Sequence, residues 1–461
     1  MGDDQRTRPS LSRQLLPAVH GLLARPLSSY YLLIASSGLL LLIGLTMVFS
    51  ATSVQAFANN GNAFSAIGKQ GVYALLGLVG FWVCQRLPAR SLRALGKYVL
   101  GVAVALLALL DLLNALESIG LLSTAKLGPV HAEFLWLYLG PLAIQPSELA
   151  KLGVVLWGAD LVTRKGAALG HWRELATPLF PVVGLLFVLV GYNDLGTMLV
   201  LLALIVGLLW AAGVRLRVFA ALGVLGLAGI GLLIAAASRG AGSGTKGATN
   251  YRLERLMTFL HPENCDQGAC YQLLQGRSAI YEGGWFGVGL GKGTLKWAWL
   301  PEADNDFIYA VVAEELGVVG CVIVLALFSV LAYTGFRIAR RVQDPFRRLA
   351  ATAITTWLVA QAVINIGGVV GLLPITGLPL PFISAGGSAL VVTLAAIGML
   401  ASFARAEPDA AKALNARPPS RWVRLVWAPL PPLPPPRRPG QARPTAQPAA
   451  TRAPEGMKGR L

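Results

Sequence analysis

Apolar runs of about 20 residues recur along the whole chain. They fall at Tyr30–Ser50, Gly71–Leu87, Tyr98–Leu116, Ser147–Thr163 and Thr177–Tyr192, then at Gly196–Gly213, Val218–Ala237, Phe307–Gly335, Ala350–Leu372 and Gly387–Ala404. A helix rises 1.5 Å per residue, so about 20 apolar residues cross a hydrocarbon core roughly 30 Å thick. Backbone in lipid must satisfy its own hydrogen bonds, which leaves helices as the economical solution for such runs. The pattern predicts an all-α polytopic membrane protein with about ten transmembrane helices. Composition agrees: 55% of the 461 residues are hydrophobic and 13% charged, against about a quarter charged in soluble domains. The first run is too long for the apolar segment of a cleavable signal and reads as an uncleaved anchor.

The net charge of +17 would suit nucleic acid, but the placement of the cations argues against that partner. Arg6, Arg8, Arg13 and Arg25 precede the first run; Arg86, Arg90, Arg93 and Lys97 follow the second. Arg164, Lys165 and Arg173 follow the fourth, Arg215 and Arg217 the sixth, and Arg337, Arg340, Arg341, Arg347 and Arg348 the eighth. With about ten crossings all of these share one side, and positive-inside bias makes it the cytoplasm, with both termini there. The chain then divides into a cytoplasmic segment 1–29, a membrane domain 30–404 and a basic, proline-rich tail 405–461 predicted to be disordered. Three segments face outward: Glu117–Pro146, a large loop 238–306 between spans seven and eight, and Leu373–Gly386. The last is rich in Pro and Gly and weakly polar, which predicts irregular backbone dipping into the membrane where protein or water can satisfy it.

The four histidines are scattered, which gives a zinc centre little support. Cys84 and Cys321 lie inside apolar runs, whereas Cys265 and Cys270 are close together in the outer loop and form either a local disulfide or two free thiols.

Ionisable residues beside a bilayer are costly and therefore informative. The densest group is Glu302, Asp304 and Asp306 ahead of the eighth run, followed inside it by Glu314 and Glu315. Asp306 or Asn305 can cap the helix, and Asp306 can equally serve as a general base at a helix N-terminus. In Gln145-Pro146-Ser147-Glu148 followed by Lys151, the proline suits a first helical turn, and Glu148 and Lys151 are i,i+3 neighbours. Lys151 enters from the outer side, against the cationic bias. Asp194 sits in a short outer turn, where Asn-Asp is ordinary turn chemistry. Arg252, Arg255, Arg277 and Lys296 accompany the glycine-rich run Gly283–Gly291, a combination that can approach phosphate but does not have nucleotide-loop spacing.

From the first span to about Ala404 the chain resembles the SEDS family of peptidoglycan glycosyltransferases. The most specific segment is Asn365–Ser388, with Gln145-Pro-Ser-Glu148, Lys151, Asp194-Leu-Gly-Thr197, Tyr271-Gln272, Gly283-Gly284, Lys296, Leu300-Pro-Glu302, Asp306-Phe-Ile308 and Glu314-Glu-Leu-Gly317 in the family's order. The resemblance implies a ten-helix fold with an outer cavity and a required carboxylate at Asp306. It implies polymerisation of lipid II onto an undecaprenyl-pyrophosphate-linked glycan, with inversion and release of undecaprenyl pyrophosphate. Gln145, Glu148, Lys151, Asp194, Arg252, Arg255, Lys296, Glu302, Glu315, Asn365 and Ser384 are the substrate-binding candidates. A divalent cation (Mg or Mn) at an unidentified site is implied too, as are a class B penicillin-binding transpeptidase and other division proteins as partners. The extension and tail resemble the division branch, particularly its actinobacterial members, more than the elongation branch, with action at the septum. Leu135 stands where many members carry Arg, Asn193 where Pro is usual, Ala385 where Tyr is common and Asp304 where His is common. A lipid II flippase and a non-catalytic scaffold are the rival readings; the flippase predicts a midplane site at paired repeats, and no repeat pair is evident.

Overall fold

In the computed structural model the described residues are 25–121, 125–127, 130–140, 142–165, 172–220 and 269–433 (without 295, 296 and 298), plus Gly21 and isolated positions at 223–231. The long helices are α1 (Ser28–Asn60), α2 (Ser65–Arg86), α3 (Ala89–Ser118), α4 (Pro146–Lys165), α5 (Trp172–Asn193) and α6 (Leu195–Ala211). A shorter α7 (Ala269–Gly283) precedes α8 (Ile308–Arg341), α9 (Pro345–Val369) and α10 (Gly387–Arg405). Six of these, α1, α2, α3, α8, α9 and α10, are long and apolar enough to cross a membrane, and apolar stretches of α5 and α6 are shorter. α4 has the length, but Glu148, Lys151, Asp160, Arg164 and Lys165 dilute its hydropathy. The predicted seventh span, Val218–Ala237, falls largely outside the described residues.

Buried side chains sort these helices into packed pairs. α2 runs along α10, α3 along α4, and α8 lies against both α1 and α9, which also meets α4 and α6. Small residues permit the closest approaches, as is usual where helices pack in lipid. At Gly44 of α1 any side chain would collide with the carbonyl of Phe382 in the 373–386 segment. That segment is non-helical and largely buried, with Ile375, Leu378, Leu380, Phe382 and Ile383 in the core. Protein atoms thus cover the irregular backbone; of the two ways to satisfy it, protein or water, protein covers this segment.

Two expectations need correction. The fold is not all-α: residues 126–144 form an antiparallel sheet in the order β1 (Lys126–Leu127), β2 (Val130–Glu133), β3 (Trp136–Leu139) and β4 (Leu142–Ile144). Ala132 and Leu137 turn inward onto Leu110 and Leu113 of α3, so the alternation characteristic of strands buries one face. Nor is the tail disordered from Arg405. α11 (Pro408–Ala416) and α12 (Arg421–Val426) follow α10, and the carbonyls of Val426 and Trp427 accept from Trp82 and Gln85 of α2. Cys270 is disulfide-bonded, whereas Cys84 and Cys321 are free; Cys265 lies outside the described residues.

Candidate active site

A polar seam runs through the buried face of α9. Trp357, Gln361 and Asn365 are spaced i, i+4, i+8 and therefore share that face. The Gln361 carbonyl oxygen accepts from Lys151 Nζ (2.8 Å) and from Trp357 Nε1 (2.8 Å), and its amide donates to the Pro379 carbonyl (2.9 Å). One turn on, about 6 Å along the axis, the Asn365 amide donates to the carbonyls of Leu378 (2.7 Å) and Asp306 (2.8 Å). Two amide side chains thus fix both the 373–386 segment and the acidic turn before α8.

Lys151 is 0% exposed. Its ammonium pairs with Glu148 Oε1 at 2.7 Å and lies 5.3 Å from the Trp357 ring centre. The other Glu148 oxygen, Oε2, is buried without a hydrogen-bond partner. Contact between Lys151 and a ligand therefore requires this buried pair to open or shift. Pro146 does begin α4. Gln145 is buried, and its backbone N–H donates to Ser388 Oγ (3.0 Å) at the start of α10.

The acidic turn is held from two sides. Ser384 Oγ donates to the Asn305 carbonyl (2.6 Å) and accepts from Leu380 N–H (2.7 Å), while Ala385 N–H donates to the Asp304 carbonyl (2.9 Å). Glu302 is exposed with φ +55°, and its carbonyl accepts from the N–H groups of Asn305 and Phe307. Phe307 is the cap residue of α8, with no side-chain cap bond. Asp306 is 9% exposed and borders a narrow cleft with Asn365, Gly368 and Ile375–Leu378.

Asp304, two residues earlier, borders a cavity of about 430 Å³ between the facing ends of α1 and α2 and the sheet. Lys69, Gln70, Asn59, Tyr73, Trp136 and Tyr138 line it too. Burial, reinforced by the nearby Glu302 charge, raises the Asp304 carboxyl above the ordinary aspartate range. A cation, amides and aromatic rings around one carboxyl suit a polar, sugar-like headgroup better than an apolar ligand.

Other candidates have structural partners. Glu315 accepts from Ser50 Oγ (2.7 Å), and Glu314 from the backbone and hydroxyl of Thr294. Asp194 caps α6, accepting from Thr197 N (2.8 Å) and Oγ1 (2.6 Å). The Gly283–Gly291 run wraps a break in α8 at Gly317, where φ is +66° and ψ −165°. There Val288 and Gly289 donate to the Glu314 and Glu315 carbonyls, and Val318 and Val319 donate to those of Gly284 and Trp285. Main-chain groups of this run thus replace the helical bonds lost at the break. Arg252, Arg255 and Lys296 lie outside the described residues. Gln361, Trp357 and Lys69 were not singled out from sequence; the i, i+4 spacing of Gln361 with Asn365 was the available signal.

Among the described residues no group of three or more His, Cys, Asp or Glu side chains is placed to hold a metal. A divalent cation held in the manner usual for Mg²⁺ would need one or two carboxylates completed by substrate phosphates and water; among the described residues the acidic turn offers Glu302, Asp304 and Asp306.

FtsW of Mycobacterium tuberculosis, described as a probable peptidoglycan glycosyltransferase, is 40% identical over 417 residues, covering 90% of this chain and 75% of that protein. A chain from a peptidoglycan synthase complex, studied for its coordination of polymerization and crosslinking, superposes with a TM-score of 0.60 at 27% identity, covering 81% of this chain and 96% of that one. The rod shape determining protein RodA of Thermus thermophilus superposes with a TM-score of 0.52 at 26% identity, with 81% and 96% covered. Residues 30–408 match the family of cell cycle proteins that takes in FtsW, RodA and SpoVE, and the chain belongs to that family.

Proposed function

We propose that the protein is a peptidoglycan glycosyltransferase that polymerises lipid II, acting in septal wall synthesis during cell division. The observation that carries this reading is the acidic turn 304–306, pinned at the start of α8 between a buried polar seam and a headgroup-sized cavity. The division role draws support from the 40% identity to FtsW over 90% of the chain.

In the reaction a sugar hydroxyl of the acceptor attacks the anomeric carbon of the donor glycan. The C–O bond to the lipid pyrophosphate breaks with inversion, and the hydroxyl proton passes to a base. Asp306 is that base; Asn365 and Ser384 hold its backbone in place, and positional accuracy of this kind is what general-base catalysis needs. The pyrophosphate leaving group needs positive charge. Lys69 at the cavity, Lys151 when its pair opens, and Arg252, Arg255 or Lys296 of the outer loop supply it. Asp304 or Asp306 would hold a divalent cation, which would supply further positive charge at the phosphates.

Ten crossings with both termini cytoplasmic accommodate the six long apolar helices, α4, α5, α6 and the stretch 218–237. On that topology the cavity opens on the outer face, where lipid II is presented, and a class B transpeptidase is the natural partner for the emerging glycan. The test is polymerisation of labelled lipid II by purified protein, with and without a transpeptidase. Glycan ladders in either condition support the reading; lipid II movement between leaflets with no ladder in either condition would favour a flippase.

A further inference from the structure

The chain beyond α10 folds back onto the ends of α1 and α2 as a strap. Trp427 donates its indole N–H to the Tyr30 hydroxyl (2.6 Å), which donates to Gln85 Oε1 (3.1 Å). Gln85 in turn donates to the Trp427 carbonyl (3.3 Å). Trp82 donates to the Val426 carbonyl (2.5 Å), and Arg86 to that of Leu425. Farther along, Arg405 holds the Ala428 carbonyl (3.4 Å) and Asn415 that of Pro431 (3.2 Å). Most of these bonds end on the strap's main chain, so α12 is positioned while its side chains stay uncommitted.

Those side chains have a consistent character. Trp422 is 75% exposed and Leu425 64%, and α2, which holds the strap, carries the exposed Val79 and Val83 and is apolar enough to span a membrane. Arg421 is exposed, and Arg424 has a covered Nε with no hydrogen-bond partner. Trp and Leu beside Arg, at the end of a membrane crossing, is the composition of a helix lying in the headgroup layer. Six residues do not hold a helix in isolation; the contacts with α1 and α2 supply the order.

We propose that residues 421–427 are an interfacial strap that binds anionic phospholipid, with Arg421 and Arg424 on the phosphate and Trp422 and Leu425 among the upper acyl chains. The proposal rests on the charge-bias topology, which puts this end of α2 at the cytoplasmic leaflet, and is independent of the catalytic reading. The full-length protein in neutral lipid nanodiscs is titrated with dioleoylphosphatidylglycerol, and bound lipid is counted by native mass spectrometry. Basic residues near an anionic surface contribute roughly fivefold each. The tightest phosphatidylglycerol should therefore weaken by about 25-fold in Arg421→Gln/Arg424→Gln, and further in Arg421→Glu/Arg424→Glu. Trp422→Ala should weaken it with the charges intact. Arg215→Glu/Arg217→Glu, the same charge change on exposed residues beyond α6, should leave it unchanged. Equal loss from both arginine pairs would reduce the effect to general surface charge. No loss from the strap variants would leave the apolar face to a protein partner. Either result overturns the proposal.

Discussion

Removing the Lys151 ammonium leaves Glu148 with a buried charge and no cation. Glu148 is 1% exposed, its Oε2 has no hydrogen-bond partner, and among the described residues the Lys151 contact at 2.7 Å is its one ion pair. Breaking one side of a buried pair costs about 3–5 kcal/mol, because the remaining charge keeps its desolvation penalty. Loss of the cation–π contact with Trp357 acts in the same direction. Gln361 still accepts from Trp357, so the seam is not left wholly unsatisfied. Lys151→Met should therefore lower the unfolding midpoint of the detergent-purified protein by at least several degrees. Lys151→Met combined with Glu148→Met should recover most of it, since well-packed apolar replacements of a buried pair are often neutral or stabilising. Thermal unfolding followed by tryptophan fluorescence reads both. A single variant within about 1 kcal/mol of wild type, or a double variant no better than the single, would refute the reasoning that this pair is a buried unit. If the double variant is stable yet cannot polymerise lipid II, Lys151 has a second role on the pyrophosphate.

Two other perturbations follow from local geometry. Burial and Glu302 raise the Asp304 carboxyl, so the folded state retains a proton that the unfolded chain gives up. Stability should fall as pH rises from the unfolded aspartate value, about 3.9, through the raised folded one, and Asp304→Asn should flatten that slope and raise the midpoint at neutral pH; a steeper slope would contradict the cause assigned. At the α8 break, Gly317 has φ +66° and ψ −165°, a region essentially confined to glycine, so Gly317→Ala should destabilise by roughly 1–3 kcal/mol from backbone strain alone, with its β-carbon also driven against the Trp285 carbonyl and Gly287 nitrogen. Gly71→Ala on α2, with open space around it, should be neutral or slightly stabilising, and thermal midpoints of the two compare them directly.

Much of this architecture is legible because membrane crossing imposes long-period signals. Runs of apolar residues, Pro146 ahead of an i,i+3 Glu–Lys pair, and a Pro/Gly segment between α9 and α10 all carry local physical causes. The unread parts depend on distant partners. The strands are two to four residues long, so their alternation becomes meaningful only against Leu110 and Leu113. Trp427 orders the tail through Tyr30, 397 positions away, and no local pattern announces that. Gln361 reads as an ordinary helical amide until Lys151, Trp357 and Pro379 are seen around it. Asp306 carries a helix-start signal in sequence, whereas the hold of Asn365 and Ser384 on the carbonyls of Asp306 and Asn305 comes from segments about 60 and 80 positions away.

The most direct measurement of the central claim is lipid II polymerisation by Asp306→Asn beside Asp306→Ala. Asn keeps the size of the side chain and leaves the backbone contacts of Asn365 and Ser384 available, but it cannot accept the hydroxyl proton. A positioned base contributes about 10²–10⁴-fold, so both variants should make glycan near the assay floor while folding and binding lipid II as wild type does. An Asn variant that polymerises at close to the wild-type rate would contradict the account and transfer the search for the base to Asp304 or Glu302.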